Sequence, residues 1–185
     1  MRARSETTAA GAGAPSSLED FGAVYDSHFH DIYRYIAGRL GRDVADDMAA
    51  DTFVIALRRR DSFDATRGGI RPWLFGIATK LVAQHRRQET RRYRALGRAG
   101  VDEFAESHET RVVSWVTAEG FGPRLAKAIG ALSSGDRDVL LLNALADLSH
   151  KEIAQALGIP YGTVGSRLSR ARKKVRTTLG EDVDG

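Results

Sequence analysis

The sequence predicts an all-α protein of two small helical domains joined by a flexible acidic linker. Apolar residues recur at steps of three and four along several stretches, and no useful length alternates with a period of two. Charge divides the chain in the same way: twelve Lys or Arg against three Asp or Glu occupy 58–98, and six against none occupy 160–179. Between these blocks, 99–122 holds five acids and one arginine. The two basic blocks indicate two contacts with a polyanion.

The composition limits the class of protein. The 185 residues are 42% hydrophobic and 28% charged, with a formal net charge of +4, which is typical of a globular protein. The absence of cysteine excludes disulfides and Cys-ligated zinc and fits the reducing cytoplasm. No apolar run approaches the ~20 residues of a membrane span, and residues 1–17 lack the apolar core of a signal peptide. We therefore expect a cytoplasmic protein with a disordered tail at 1–17, no cofactor and no membrane contact of its own.

Three helices are predicted in the first domain, 18–97. The first covers 18–40, where apolar residues recur at helical spacing. The second covers about 44–60; it opens with aspartates and closes with arginines, which matches the helix dipole. A loop with two glycines follows, and a long third helix starts near Pro72. Beyond His85 this helix becomes a basic rod.

The linker is expected at 98–122, with one helical turn around 110–118. Its glycines and scattered acids are typical of a connecting segment, whereas its three aromatic residues indicate that part of it packs against something. A short tail is expected at 180–185.

The second domain, 123–179, is predicted to be a four-helix domain with a helix-turn-helix. Ser149 followed by Glu152 indicates a helix start with a capping box. Two short helices meet at Gly158, and the second of them is basic, which is the outline of a helix-turn-helix. In that second helix one apolar stripe can dock on the domain while the cations face outward. The helices are expected at about 123–131, 136–146, 150–156 and 160–178.

Three motifs stand in the order VADDMAADTFVIAL, RPWLFGIATKLVAQHRRQETRR and HKEIAQALGIPYGTVGSRLSRARKKVR. Together they resemble the bacterial RNA polymerase sigma factors of the extracytoplasmic-function (ECF) group. In that family the corresponding helices bind core polymerase, read and help to melt the −10 promoter element, and read the −35 element. The resemblance implies that 18–97 is sigma domain 2 and that 123–179 is sigma domain 4. It implies a dissociable initiation factor without enzymatic activity, with core RNA polymerase and promoter DNA as partners and an anti-sigma factor as a further candidate partner.

The resemblance also implies which residues make these contacts. The core polymerase-binding residues, carboxylates and apolar anchors, are Asp46, Asp47, Met48, Asp51 and Phe53. The DNA-binding residues of the −10 region are Arg67, Gly68, Arg71, Trp73, Lys80, Arg86, Arg87 and Arg91. The DNA-binding residues of the −35 region are Thr163, Ser166, Arg167, Ser169, Arg170, Arg172, Lys173 and Lys174.

Five positions qualify these assignments. Ala50 and Lys80 stand where the family often has Gln and Asn, so one polar polymerase contact and one base-reading amide are missing. Gly165 replaces a common Lys or Arg and costs roughly 0.5–1 kcal/mol of helix propensity. Arg170 is the residue expected to bond guanine through both guanidinium arms. Trp73 fits either a stacking platform for a base or the apolar core, since it lies in register with the buried stripe of its helix.

Other interpretations compete with this one. The runner-up is a free-standing transcriptional regulator with a helix-turn-helix and an N-terminal sensing or dimerisation domain. A metal-dependent nuclease built on the aspartates of 43–51 is a distant third, and it lacks a companion His or Glu motif. The simplest alternative gives these residues no binding role. In that case the aspartates cap a helix, and the arginines beyond His85 form a solvated face. His28 and His30 point to different sides of a helix, which argues against a shared metal.

Overall fold

A computed structural model describes residues 18–95 and 122–180, and both ranges are helical without a strand. The all-α prediction is confirmed. The N-terminal tail and the expected turn at 110–118 lie outside the described residues. The α-helices are α1 (Leu18–Leu40), α2 (Ala45–Arg58), α3 (Ile70–Ala95), α4 (Gly122–Gly130), α5 (Ser134–Ala146), α6 (His150–Leu157) and α7 (Tyr161–Gly180), with 3-10 turns at Arg42–Val44 and Arg60–Ser62.

The predicted helix bounds differ from the structure most around the glycine loop. The third helix was expected from Pro72, whereas α3 begins at Ile70. Pro72 therefore lies in the first turn, where its missing N–H leaves no intrahelical bond unmade. The second helix was expected over 44–60, but α2 ends at Arg58 and the chain continues into a separate 3-10 turn.

The N-terminal half packs α1, α2 and α3 around an apolar core. Ile32, Ile36 and Leu74 have no exposed surface. The ring of Phe75 stands edge-on to the ring of Tyr35, with 5.3 Å between their centroids, a favourable arrangement for two aromatic rings. Because burying each such side chain stabilises the fold by ~1.5–3 kcal/mol, this core holds α3 firmly in place.

Interactions between neighbouring residues fix both ends of α6 in the C-terminal half. Ser149 Oγ accepts from the Glu152 amide at 3.3 Å, and Glu152 Oε2 accepts from the Ser149 amide at 2.9 Å, so the predicted capping box is confirmed. Gly158 closes α6 with φ of 63°, a conformation that favours glycine. Val164 and Leu168 of α7 are buried as predicted. The second helix of the pair is thus held by its apolar stripe.

The two halves also pack directly on each other. α1 contacts α5, α3 contacts α6, and one apolar cluster runs through both halves. The approach is closest at two glycines. A Cβ on Gly76 would lie 2.4 Å from the carbonyl oxygen of Ala156, and a Cβ on Gly38 would lie 2.8 Å from Leu145 Cδ1. The sequence predicts the two groups of helices but not this contact between them.

A buried polar network crosses the same interface. The Arg39 side chain is 3% exposed and pairs with Asp138 of α5 at 2.6 Å. Arg39 Nη1 donates to Tyr35 Oη at 2.7 Å, and that oxygen lies 2.8 Å from Thr79 Oγ1 of α3. Burial raises the pKa of the Tyr35 phenol above its ordinary value, so the hydroxyl stays protonated. The network joins α1, α3 and α5.

Removing the Tyr35 hydroxyl should destabilise the protein. Tyr35→Phe keeps the ring but leaves a buried Arg39 nitrogen without its acceptor, which costs ~1–3 kcal/mol. The measurement is the urea midpoint of unfolding followed by circular dichroism. Tyr25→Phe is the matched control, because the Tyr25 ring is 37% exposed and its hydroxyl removal should leave the midpoint unchanged. Equal midpoints for both variants would contradict a structural role of the network.

Candidate nucleic-acid interface

The second half of α3 presents a basic surface. Lys80, Arg87 and Arg91 are exposed, and Arg92 continues the exposed series. Lys80 and Arg91 are separated by ~16 Å along the helix axis, so the series follows a substantial length of a polyanion. Arg86 differs, since it is half-buried and donates Nη2 to the carbonyl oxygen of Arg39 at 3.0 Å. Arg86 therefore has a structural contact in addition to any contact with a ligand.

The loop before α3 is shaped by short-range hydrogen bonds. Asp64 Oδ1 accepts from the Thr66 hydroxyl at 2.6 Å and from the Thr66 amide at 2.9 Å. These two bonds lower the pKa of the Asp64 carboxyl. Gly68 has φ of 152°, and a Cβ there would lie 2.3 Å from Gln155 Cδ. Arg67 beside it is exposed. The backbone conformation at Gly68 therefore favours glycine, and the side chain of Gln155 from α6 lies close to it, a contact that the sequence did not indicate.

Trp73 lies between the apolar core and a surface cleft. It is half-buried and packs against the apolar core. Its ring lies 5.2 Å from the ring of Phe63, measured between centroids. Both rings line a cleft of about 720 Å³ between the glycine loop and the start of α7, where Tyr161 is 63% exposed. Trp73 is therefore anchored in the core on one side and open to the cleft on the other.

Arg71 is held by groups of both halves. Its Nη2 donates to the carbonyl oxygen of Ala146 at 2.6 Å, and its Nη1 lies 3.7 Å from Glu152 Oε1. On its own half, Nε lies 3.9 Å from Asp31 Oδ2, and the guanidinium carbon lies 5.3 Å from the centre of the Phe75 ring. In this structure Arg71, a residue predicted to contact DNA, contacts the C-terminal half.

The charge cluster around Arg71 alters two neighbouring groups. Burial alone would raise the pKa of the Glu152 carboxyl, but the hydrogen bonds from Ser149 and the charge of Arg71 lower it below the ordinary value. Burial and the charge of Arg71 lower the pKa of His28, with Asp31 opposing them. Glu152 therefore carries a negative charge at neutral pH, and His28 is mostly neutral.

Some polar side chains of α7 face solvent, and others contact neighbouring parts of the same half. Ser166, Ser169 and Lys173 are exposed, and Thr163 is half-buried. Arg170 is 62% exposed and its Nη2 lies 3.1 Å from Asp136 Oδ1. Three further cations contact the same domain. Arg167 is half-buried with its guanidinium near Gly135, and Arg172 Nη2 donates to Asn143 Oδ1 at 3.1 Å. Lys174 donates to the carbonyl oxygen of Ala131.

Asp136 and Asn143 are the residues that sequence reasoning missed at this surface. Each of them accepts a hydrogen bond from an arginine of α7. No local sequence pattern predicts the role of Asp136 or Asn143, because each pairs with an arginine far away in the chain. Such exposed pairs contribute ~1 kcal/mol or less to stability, so their main effect is to orient the two guanidinium groups.

The acidic face of α2 is exposed, but its predicted apolar anchors are not. Asp46, Asp47 and Asp51 are all exposed. Met48 and Phe53 are 8% and 3% exposed and belong to the core of the N-terminal half. Burial in the core is thus what the structure shows for these two side chains, and their role in polymerase binding stays a prediction.

Val54 is the apolar side chain that α2 does present to solvent. It is 44% exposed, and it follows Asp47 and Asp51 at steps that place all three on one helix face. The spacing of Asp47, Asp51 and Val54 is visible in the sequence. The predicted apolar anchors were nevertheless the larger side chains Met48 and Phe53.

Other kinds of site find no support in the described ranges. Within 18–95 and 122–180, no three His, Asp or Glu side chains are grouped so that they could hold a metal ion. His30 stacks on Tyr33, with 6.4 Å between ring centroids, and is exposed. None of the described helices is long and apolar enough to cross a membrane.

Two family models match the two halves separately. The model described as Sigma-70 region 2 matches residues 24–92, and the model described as Sigma-70, region 4 matches residues 123–175. The first match covers most of α1 to α3, and the second covers most of α4 to α7. The gap between the matches coincides with the predicted linker.

Curated relatives and solved structures agree with these matches. ECF RNA polymerase sigma factor SigC of Mycobacterium tuberculosis is 32% identical over 77% of this chain and 74% of its own length. SigL of the same species is 32% identical over 86% of this chain and 88% of its own length. The structure of CnrH in complex with the cytosolic domain of CnrY has a TM-score of 0.62 at 27% identity, and the match covers 91% of this chain and 93% of that one. The sigma factor RpoE in complex with the anti-sigma factor NepR from Bartonella quintana has a TM-score of 0.57 at 23% identity, over 88% and 98% of the two chains, and shows the same fold.

Proposed function

Because the chain belongs to the ECF group of sigma-70 RNA polymerase sigma factors, we propose a division of labour among its helices. The chain is a sigma factor that directs promoter recognition in transcription initiation. In our proposal, domain 2 at 18–97 binds core polymerase through α2 and the −10 element through α3. Domain 4 at 123–179 binds the −35 element through α7, and the linker at 98–122 connects them.

The observation that carries this proposal is the pair of exposed basic helices in separate halves. Six cations lie in 160–179 without an acid, and the apolar stripe of α7 faces its own domain. The N-terminal part of such a helix can enter the major groove, with Arg170 aimed at a guanine and Lys173 at a phosphate. On α3, Arg87 and Arg91 would follow the phosphates of the −10 region, and each neutralised phosphate would make binding more sensitive to salt.

The acidic face of α2 supports the contact with polymerase. Asp46, Asp47 and Asp51 offer three carboxylates to a basic partner surface, with Val54 as an exposed apolar neighbour. Interfaces of this kind combine charge complementarity with apolar contact. The chain would act in the cytoplasm beside polymerase and would itself catalyse no reaction and need no cofactor.

An anti-sigma protein is the further partner that we propose. Among the similar solved structures, RpoE is bound to the anti-sigma factor NepR, and CnrH is bound to the cytosolic domain of CnrY.

Run-off transcription with core polymerase on genomic fragments tests the proposed function. The purified chain should direct transcripts from a subset of fragments, because the sigma factor supplies the sequence selection that core polymerase lacks. Pull-down should show stoichiometric capture of core polymerase. The free-standing regulator, which the match to region 2 disfavours, predicts instead specific binding to a palindrome without capture of polymerase.

Replacing Asp47 should weaken polymerase capture. Asp47→Ala removes one exposed carboxylate from α2 without touching the core, so capture in the pull-down should fall several-fold while circular dichroism stays unchanged. Asp61→Ala is the matched control, because the Asp61 side chain is 94% exposed and lies outside α2. If both variants capture polymerase as the wild type does, Asp47 is not at the interface.

Replacing Arg170 should relax the choice of one base in the −35 element. Arg170→Ala should cost ~1–3 kcal/mol of binding to the preferred sequence and less to sequences changed at that base. Competition run-off on promoters that differ at single −35 positions measures this. Lys173→Ala serves as the comparison, because loss of a phosphate contact should weaken all promoters equally. Uniform weakening by Arg170→Ala would make Arg170 a phosphate contact as well.

A further inference from the structure

The arginine of α7 that is proposed to contact a base is held by a carboxylate of α5. Arg170 Nη2 lies 3.1 Å from Asp136 Oδ1. The two residues are 34 positions apart in the chain, so the contact depends on the packing of α5 against α7. The Arg170 side chain is 62% exposed, whereas the Asp136 side chain is 16% exposed. A half-buried anchor therefore holds an arm that extends into solvent.

Asp136 is itself fixed by the start of α5. It lies in the first turn of the helix, where its backbone amide donates to the N-cap oxygen Ser133 Oγ at 3.2 Å. A carboxylate is favoured there, because the helix dipole is positive at the N-terminus. The cap uses the backbone of Asp136 and not its side chain, so a substitution of that side chain leaves the cap in place. The direction of the carboxylate is set before any DNA is bound.

The bond to Asp136 leaves Arg170 enough donors for a base. A guanidinium has five N–H donors, and this bond uses one of them. Guanine needs two, at N7 and O6. Because the guanidinium is planar and rigid, fixing one N–H also fixes the plane in which the other donors lie. A side chain that is ordered beforehand loses less freedom on binding, so the contact favours the base that matches this plane.

The negative charge of Asp136 acts in the opposite sense on contacts that carry no sequence information. Sequence-independent binding comes from the attraction between cations and phosphates. A carboxylate 3.1 Å from the guanidinium weakens this attraction and itself repels phosphates. Because specificity is a difference between two affinities, a lower affinity for the wrong sequences raises it.

Arg172 provides an internal comparison, because α5 holds it with a neutral group. Its Nη2 donates to Asn143 Oδ1 at 3.1 Å, and Asn143 Nδ2 donates to the carbonyl oxygen of Leu148 at 3.1 Å. The amide orients the guanidinium without adding a negative charge. The neutral support thus stands beside the cation that is predicted to contact a phosphate, and the charged support stands beside the cation that is predicted to read a base.

We propose that Asp136 is a positioning residue that sets the choice of one base in the −35 element. It holds the guanidinium of Arg170 towards that base and makes Arg170 a poor contact for a phosphate. Asp136 acts through Arg170 rather than by its own contact with DNA. This inference rests on the proposed role of α7, whereas the contact between Asp136 and Arg170 does not.

Competition run-off with core polymerase and the whole chain tests this role. The templates are promoters that differ at single −35 positions, and the Arg170→Ala variant identifies the position that Arg170 reads. Asp136→Asn keeps the shape of the side chain and removes its charge. It should reduce the base preference at that position about three- to tenfold, while transcription from the mismatched promoters does not fall. Asp136→Glu, which keeps a carboxylate, should retain part of the preference.

Two further variants separate positioning from a merely structural role. Asp147→Asn is the matched control, because Asp147 is exposed at the other end of α5 and its φ of 49° is a conformation that Asn also tolerates. It should leave every base preference unchanged. The double variant Asp136→Asn with Arg170→Ala should show the base preference of Arg170→Ala alone, because the effects of residues that act through one another do not add.

Three results would overturn the inference while the proposed function stands. Asp136→Asn could leave the base preference unaltered, or the losses in the double variant could add, which would make the two residues independent. Equal stimulation of all −35 sequences by Asp136→Asn would make the carboxylate a mask over Arg170 rather than its guide. If the wild-type chain directs no transcript from any fragment, the proposed function fails and the inference fails with it.

Discussion

The contact between the two halves depends on one buried guanidinium. Arg39 is 2% exposed, and a charge so far from water is stable only when it is paired and hydrogen-bonded. Tyr35 provides an acceptor from the preceding turn of α1, and Asp138 provides the counter-ion from α5. The ion pair can form only when α5 lies against α1. The position of the entire C-terminal half is therefore coupled to the burial of a single side chain in the N-terminal half.

Glu152 connects local structure to this long-range arrangement. As the third residue of α6 it completes the capping box with Ser149, and the same carboxylate lies 3.7 Å from Arg71 of α3. One side chain thus fixes the start of the helix-turn-helix and faces the cation of the opposite half. The helix α6 is short and buries few side chains of its own. The two contacts of Glu152 help to explain its defined start and its position on α3.

The sequence predicted what depends on neighbouring residues and missed what depends on distant ones. The capping box at Ser149, the glycine at the end of α6 and the buried stripe of α7 are local patterns, and all three are present. The three exposed aspartates of α2 were also correctly placed on its surface. The burial of Met48 and Phe53 was not predicted, because the sequence of one helix cannot show which of its apolar faces a second helix covers. The pairs Arg39–Asp138 and Arg170–Asp136 join residues far apart in the chain and leave no periodic signal. The functional roles of the individual site residues remain predictions.

Two glycines of α7 are positions at which the surface of this helix can be altered. A Cβ added at Gly162 or Gly165 would meet nothing within 4 Å, although both positions lie in the half of α7 nearest its N-terminus. An alanine at either position would gain helix propensity and displace no neighbour. The two positions therefore have room for a side chain near the N-terminus of α7. If α7 binds the −35 element as proposed, variants at these two positions would change promoter choice without a change of fold.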